Sequence, residues 1–157
     1  MASLAWRQQV RRRLPLLGHR NWIAVVDSAY PSQVAPGVET IATGAAQLDV
    51  AAFVLGEVTK ARHVRPEFFL DAELEWLTEK DAPGIDSYRS KLTSLLDAQP
   101  TNKVPHEKII AMLDEAGKSF HMLVLKSTLT LPYTSLFLRL ECGYWNAGAE
   151  RRLRRKV

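Results

Sequence analysis

The chain has 157 residues, 46% of them hydrophobic and 24% charged, with a formal charge of +4. That length suits one domain, since two would each be left with a poorly buried core, and the composition is too apolar for a disordered chain. No apolar run approaches the roughly 20 residues that span a bilayer, and Met1-Ala2-Ser3-Leu4-Ala5-Trp6-Arg7 lacks the apolar stretch of a signal peptide, so a cytoplasmic protein is expected.

Trp6, Val10, Leu14 and Leu17 recur at helical spacing with arginines between them, which predicts an amphipathic helix to about Pro15, stopped by Gly18. Trp22 to Val26 is too short for a helix and reads as a buried strand ending at Asp27. After a loop with Pro31, Pro36 and Gly37, Val38 to Ala42 reads as a second strand. Leu48, Ala51, Ala52, Leu55 and Val58 then mark one helix face. Glu67 to Leu70 reads as a further buried strand behind Pro66. From Asp71 to Ala98 the chain is acidic and charged, with a break at Asp81-Ala82-Pro83-Gly84 and a helix marked by Tyr88, Leu92, Leu95 and Leu96. Pro105 fits a first helical position, and Ile109 to Ala116 carry the apolar face on to Gly117, which puts His106 in a first turn. Two last strands are read at Phe120 to Leu125 and Ser135 to Leu140. Strands interleaved with helices predict an α/β single domain of three layers, a β-sheet with helices on both faces.

The positive charge is concentrated at Arg7, Arg11, Arg12 and Arg13 and in Arg151 to Lys156. The basic C-terminal run carries no aromatic residue for base stacking, so nucleic-acid binding is not expected, although a basic end can serve anionic partners or subunit contacts. Cys142 is the single cysteine: it can form no internal disulfide or thiol-rich metal site, and is read as a small buried hydrophobe. A glycine-rich phosphate loop, a nucleophile elbow and His-Glu-x-x-His are all missing from the sequence.

The remaining candidates are polar groups at element ends, where α/β proteins place their ligands. His19 lies in a short loop before a buried strand, and is either a hydrogen-bonded structural histidine or a general acid. Asp27 caps a turn or accepts from a ligand hydroxyl. His106 is a surface residue of a helix start, or a ring that gives and takes hydrogen bonds. Tyr133-Thr134-Ser135 offers two hydroxyls and a phenol before the last strand. Lys126 reads as solvated or as a donor, and His63 and His121 as structural.

In order and spacing, Leu17-Gly18-His19, Asp27-Ser28-Ala29-Tyr30-Pro31, His106-Glu107 and Tyr133-Thr134-Ser135 resemble the ribose pyranase and fucose mutarotase family. Its members begin with a helix, Leu-Gly-His and a strand ending in Asp-x-x-x-Pro, and continue through a His-Glu helix opening to a Tyr-x-Asn turn. The resemblance covers most of the chain but not the acidic middle. Ser135 stands where the family has asparagine, which removes an amide, and the stretch from Phe120 to Tyr133 is longer. The chain also runs past Cys142-Gly143-Tyr144-Trp145 into the basic end.

The resemblance implies a sugar-binding domain over residues 1–144 with that family's fold, and a basic tail over 145–157. It implies His19 as proton donor and Asp27, His106, Tyr133, Thr134 and Ser135 as sugar-binding residues. The implied ligand is a monosaccharide, with neither cofactor nor metal, and the implied assembly is a ring-shaped homo-oligomer, commonly a decamer. The corresponding activity is mutarotase or pyranase isomerisation; the alternative is a non-catalytic monosaccharide-binding or sensing protein. His19 and Asp27 are eight residues apart, more than about 20 Å if extended, so they pair only if the chain bends before Trp22. Otherwise they act on different parts of a ligand or across a subunit interface.

Overall fold

The computed structural model describes residues 2–157, with side-chain surroundings from residue 4 onward. In chain order the elements are α1 (Ala2–Arg13), β1 (Trp22–Val26), β2 (Val38–Ala42), α2 (Gln47–Lys60), β3 (Val64–Asp71), α3 (Ile85–Leu96), β4 (Thr101–Val104), α4 (His106–Gly117), β5 (Met122–Lys126), β6 (Leu136–Cys142) and α5 (Ala147–Arg154). The six strands form one sheet in the order β2-β5-β1-β6-β3-β4. No described helix is long and apolar enough to cross a membrane.

Side chains alternate across the strands and so divide the core in two. On one face Ile23, Val25, Leu123, Leu125, Leu136 and Leu138 pack with residues of α1, α2 and α3, among them Trp6, Val54 and Leu92. On the other, Trp22, Ala24, Val26, Met122, Val124 and Phe137 pack with Ile109 and Leu113 of α4. All five residues of β1 are buried, as expected for a central strand covered on both sides. The result is the three-layer α/β arrangement, with helices on both faces.

Several boundaries differ from the sequence reading. Helix α1 ends at Arg13, and Leu14–Leu16 tighten into a 3₁₀ turn containing Pro15. Strand β3 begins at Val64 and includes Pro66, whose missing N–H is tolerated because β4 pairs with β3 only from Phe68 onward. The last two strands start one or two residues later than expected. Two elements escape the reading altogether. Strand β4 is an edge strand of Thr-Asn-Lys-Val with no apolar alternation, and α5 has no buried residue to create a periodic face. Cys142, at the end of β6, is partly exposed rather than buried.

The acidic middle segment forms a 3₁₀ turn over Ala72–Trp76 and then α3. Glu79 caps α3, accepting from the Gly84 and Asp86 backbone N–H groups at 2.7 and 2.8 Å, which holds its carboxyl below its ordinary range.

One feature of the topology decides where polar groups meet. Strand β1 is parallel to β5, β5 to β2 and β3 to β4, while β6 runs antiparallel to both β1 and β3. The C-terminal ends of the five like-directed strands therefore share one edge with the start of β6. That edge carries Asp27, Asp71, His106, Ser127 and Tyr133 to Ser135. The opposite edge carries the start of β1, the end of β6 and α5, and with them His19, Glu141 and Cys142.

Candidate active site

Asp71 is the last residue of β3 and is 1% exposed. Its Oδ1 lies 3.0 Å from His106 Nδ1, at the first residue of α4. The His106 backbone N–H donates to the Glu73 carboxylate at 3.0 and 3.1 Å, so Glu73 caps α4 and fixes the approach of the ring. The His106 ring meets Tyr133 edge-on, with centroids 5.5 Å apart. Burial raises the Asp71 carboxyl above its ordinary range, His106 draws it back, and the Glu73 and Asp27 charges push it up.

Asp71 Oδ2 is buried and has no hydrogen-bond partner among the described residues. Leaving such an atom unpaired costs about 1–3 kcal/mol, which a ligand hydroxyl donating to it would offset. With Nδ1–H donating to the carboxylate, the neutral ring of the partly exposed His106 keeps its Nε2 lone pair as an acceptor. A carboxylate-oriented imidazole of this kind can accept or return a proton. Asp27 follows β1 at the same edge and is partly exposed; its Oδ2 accepts a long 3.4 Å contact from the Ala29 N–H, so the turn leaves most of its acceptor capacity free.

Tyr133 is 40% exposed and held at a positive φ of 55°, a conformation that an L residue adopts at a cost of roughly 1–3 kcal/mol. A buried polar network holds it from below. Tyr88 Oη donates to the Thr134 carbonyl at 2.6 Å, and Gln47 Nε2 donates to the same carbonyl and to Tyr88 Oη. Ser127 Oγ in turn donates to Gln47 Oε1 at 2.9 Å. Thr134 and Ser135 are themselves buried, at 0% and 3% exposure, and the Thr134 hydroxyl donates to the Leu131 carbonyl. Tyr133 is thus the exposed member of the turn. Replacing Tyr88 by phenylalanine keeps the ring and removes one of the two donors to the Thr134 carbonyl. Urea unfolding of Tyr88→Phe is expected to show a loss of about 1–2 kcal/mol, and no loss would mean that Gln47 alone holds the turn.

His19 lies at the opposite edge. Its Nδ1 is 2.6 Å from Glu141 Oε2, and its side chain is 52% exposed. The loop that carries it is firmly built. The Gly18 N–H donates to Asn21 Oδ1 at 2.7 Å, Asn21 Nδ2 to the His121 carbonyl at 2.9 Å, and the Arg20 N–H to the Leu140 carbonyl at 2.9 Å. Arg20 has φ 75°, so the chain does bend before Trp22. The bend leaves His19 at the start of β1, and the five residues of that strand, roughly 16 Å, separate it from Asp27. His63 Nε2 lies 2.9 Å from the Leu17 carbonyl and bolsters the same loop, a structural role as expected.

Asp71, Glu73 and Glu141 are absent from the residues singled out in the sequence. Asp71 ends an apolar run just as Asp27 does, and that shared pattern is the signal that could have found it. Among the described residues no three His, Cys, Asp or Glu side chains gather in a way that could hold a metal ion.

The sheet carries the buried Asp71 and the partly exposed His106 at its strand ends, and known structures share its architecture. Bacillus subtilis RbsD complexed with D-ribose matches with a TM-score of 0.61 at 18% identity, over 85% of this chain and 91% of that one. FucU from Bifidobacterium longum matches with a TM-score of 0.56 at 15% identity, over 85% and 94%. The fucose mutarotase of Streptococcus pneumoniae, in complex with L-fucose, matches with 0.54 at 13% identity, over 85% and 91%. The fold is thus RbsD- and FucU-like, the fold implied by the sequence resemblance. No family model matches the chain, and no curated protein matches it.

Proposed function

We propose that the protein is a sugar isomerase of the mutarotase or pyranase type, interconverting anomeric or ring forms of a monosaccharide by acid and base catalysis. The observation that carries this reading is Asp71, buried at the strand ends with one oxygen on His106 and the other unpaired. The fold it shares with proteins crystallised with D-ribose and L-fucose supports a monosaccharide as the ligand.

The reaction needs two proton movements. His106 Nε2, oriented by Asp71, accepts the proton of the anomeric hydroxyl. The C1–O1 bond becomes a carbonyl, the bond from C1 to the ring oxygen breaks, and its electron pair passes to that oxygen, which takes a proton from an acid. Closure on the other carbonyl face, or through another hydroxyl, reverses the steps and gives the other anomer or ring size. Protons and electrons balance within the sugar and the two histidines. Asp27 and Tyr133 hold sugar hydroxyls, while Thr134 and Ser135 shape the turn that presents Tyr133.

His19 is the acid in this scheme. Roughly a strand length separates it from the Asp71–His106 edge, so it acts on a sugar held by another copy: the partner subunit's His19, steadied by its own carboxylate as His106 is by Asp71. This requires a homo-oligomer in which opposite edges meet. The site of one copy is then completed by the next.

Exchange spectroscopy on a panel of aldoses tests the activity. Acceleration proportional to protein concentration for at least one sugar is expected. A protein that binds a sugar yet leaves its exchange rate unchanged, and binds equally well as His19→Ala, would be a sensor. The buried Ser135, lacking the amide of the family's asparagine, is the feature that favours that second reading.

A further inference from the structure

His19 does not stand alone at its edge. It shares a pocket of about 600 Å³ with Glu141 and with residues of the segment that follows β6, among them Trp145, Glu150 and Arg154. Two ties fix that segment to the loop carrying His19, and both run through His63. The ring Nε2 lies 2.9 Å from the Leu17 carbonyl, while the His63 carbonyl accepts from the Gly143 N–H at 2.9 Å. Gly143 passes so close to the backbone before β3 that a Cβ would stand 2.4 Å from the Arg62 carbonyl, which reserves this turn for glycine. Beyond it, Asn146 caps α5 by accepting from the Ala149 N–H at 2.9 Å. No residue of α5 is buried, so the turn and the cap, rather than core packing, set its place.

The charges of this pocket are paired off within the chain: Glu141 lies 2.6 Å from His19 Nδ1, Glu150 2.5 Å from Arg154 Nε, and Arg65 4.0 Å from Glu67. Trp145 is different. Its Nε1–H donates to Glu150 Oε2 at 2.6 Å, so its one polar atom is spent and the ring is held, yet the residue remains 43% exposed. What it contributes to the pocket wall is ring surface, which is stabilised by any apolar group that covers it. A monosaccharide ring is amphipathic, with hydroxyls at its rim and weakly positive C–H groups on its faces. Those C–H groups complement the negative face of an aromatic ring.

We propose that Trp145 is a platform on which the sugar ring stacks while His19 delivers its proton. The choice of ligand rests on the isomerase reading. A sugar bound at the strand-end edge of a facing copy lays one ring face on the indole, and its ring oxygen stays at the rim, free for His19. Trp145 is the first residue of the tail that runs on past the family resemblance, so the platform belongs to this chain's own extension.

Anomer exchange and saturation-transfer NMR on the full-length protein, with D-ribose, D-xylose, D-glucose and L-fucose as probes, test the platform. Trp145→Ala is expected to raise both the KM for exchange and the dissociation constant about 10-fold while kcat stays within about threefold, the pattern of lost uniform binding. Trp145→Phe keeps a ring face and is expected to regain most of that affinity. A role confined to holding α5 predicts the opposite, because phenylalanine also lacks the N–H that donates to Glu150. Equal losses in the two variants, a fall in kcat alone, or unchanged affinity in Trp145→Ala would each overturn the proposal. If the wild type binds a probe without speeding its exchange, the isomerase reading fails, and the dissociation constant of Trp145→Ala still decides the platform. Binding of none of the probes overturns it.

Discussion

His106→Ala and Asp71→Asn are each expected to slow protein-catalysed anomer exchange by about 10²- to 10⁴-fold, the usual worth of one positioned acid or base. The alanine removes the ring that takes the proton. The asparagine leaves the ring in place and acts through its orientation. Asp71 Oδ1 lies 3.0 Å from His106 Nδ1, and a carboxylate there accepts from Nδ1–H, which in the neutral ring leaves Nε2 as the acceptor. An amide can present its NH₂ to Nδ1 instead, which moves the ring proton to Nε2 and leaves nothing there to accept from a sugar. Asp71→Asn also places a less demanding group where a carboxylate oxygen is buried without a partner, so the variant is expected to fold at least as well as wild type. A loss of rate with retained thermal stability separates a role in the reaction from one in the fold. Equal loss of both in Asp71→Asn would assign the pair to structure.

The core elements were legible because their physics is local. Trp6, Val10 and Leu14 mark a helix by spacing alone, and Trp22 to Val26 can only be a covered strand. All of these are buried as read. Strand β4 was hidden because an edge strand of Thr-Asn-Lys-Val owes its conformation to pairing with β3 rather than to its own side chains. Helix α5 was hidden because none of its residues is buried, so no apolar periodicity marks it.

The site was legible in part. Asp27, His106 and Tyr133 stand together at one edge, at the ends of elements the sequence located correctly. Asp71 was masked by the acidic run that follows it, although its position after an apolar strand repeats that of Asp27. The separation of His19 from the rest could not be read, because it depends on strand direction. Residues at the start and the end of β1 fall on opposite edges, and only the register of β6 shows that Glu141 lies beside His19 while Tyr133 lies beside His106. The resemblance grouped six residues by sequence order; the topology places His19 at one edge of the sheet and the other five at the opposite edge.

The placement of His19 and His106 at opposite edges makes the proposed site, shared between copies, directly testable. His19→Ala and His106→Ala remove the acid and the base from opposite edges, so each protein alone has only defective sites. When equal amounts are dissociated and reassembled together, a site works wherever an intact His106 faces a partner's intact His19. Random head-to-tail assembly makes about a quarter of the sites whole. Anomer exchange in the mixture is therefore expected to recover to about a quarter of the wild-type rate, while either variant taken through the same procedure alone recovers nothing. A mixture no more active than its components, or a His19→Ala protein with wild-type exchange, would contradict a site shared between copies.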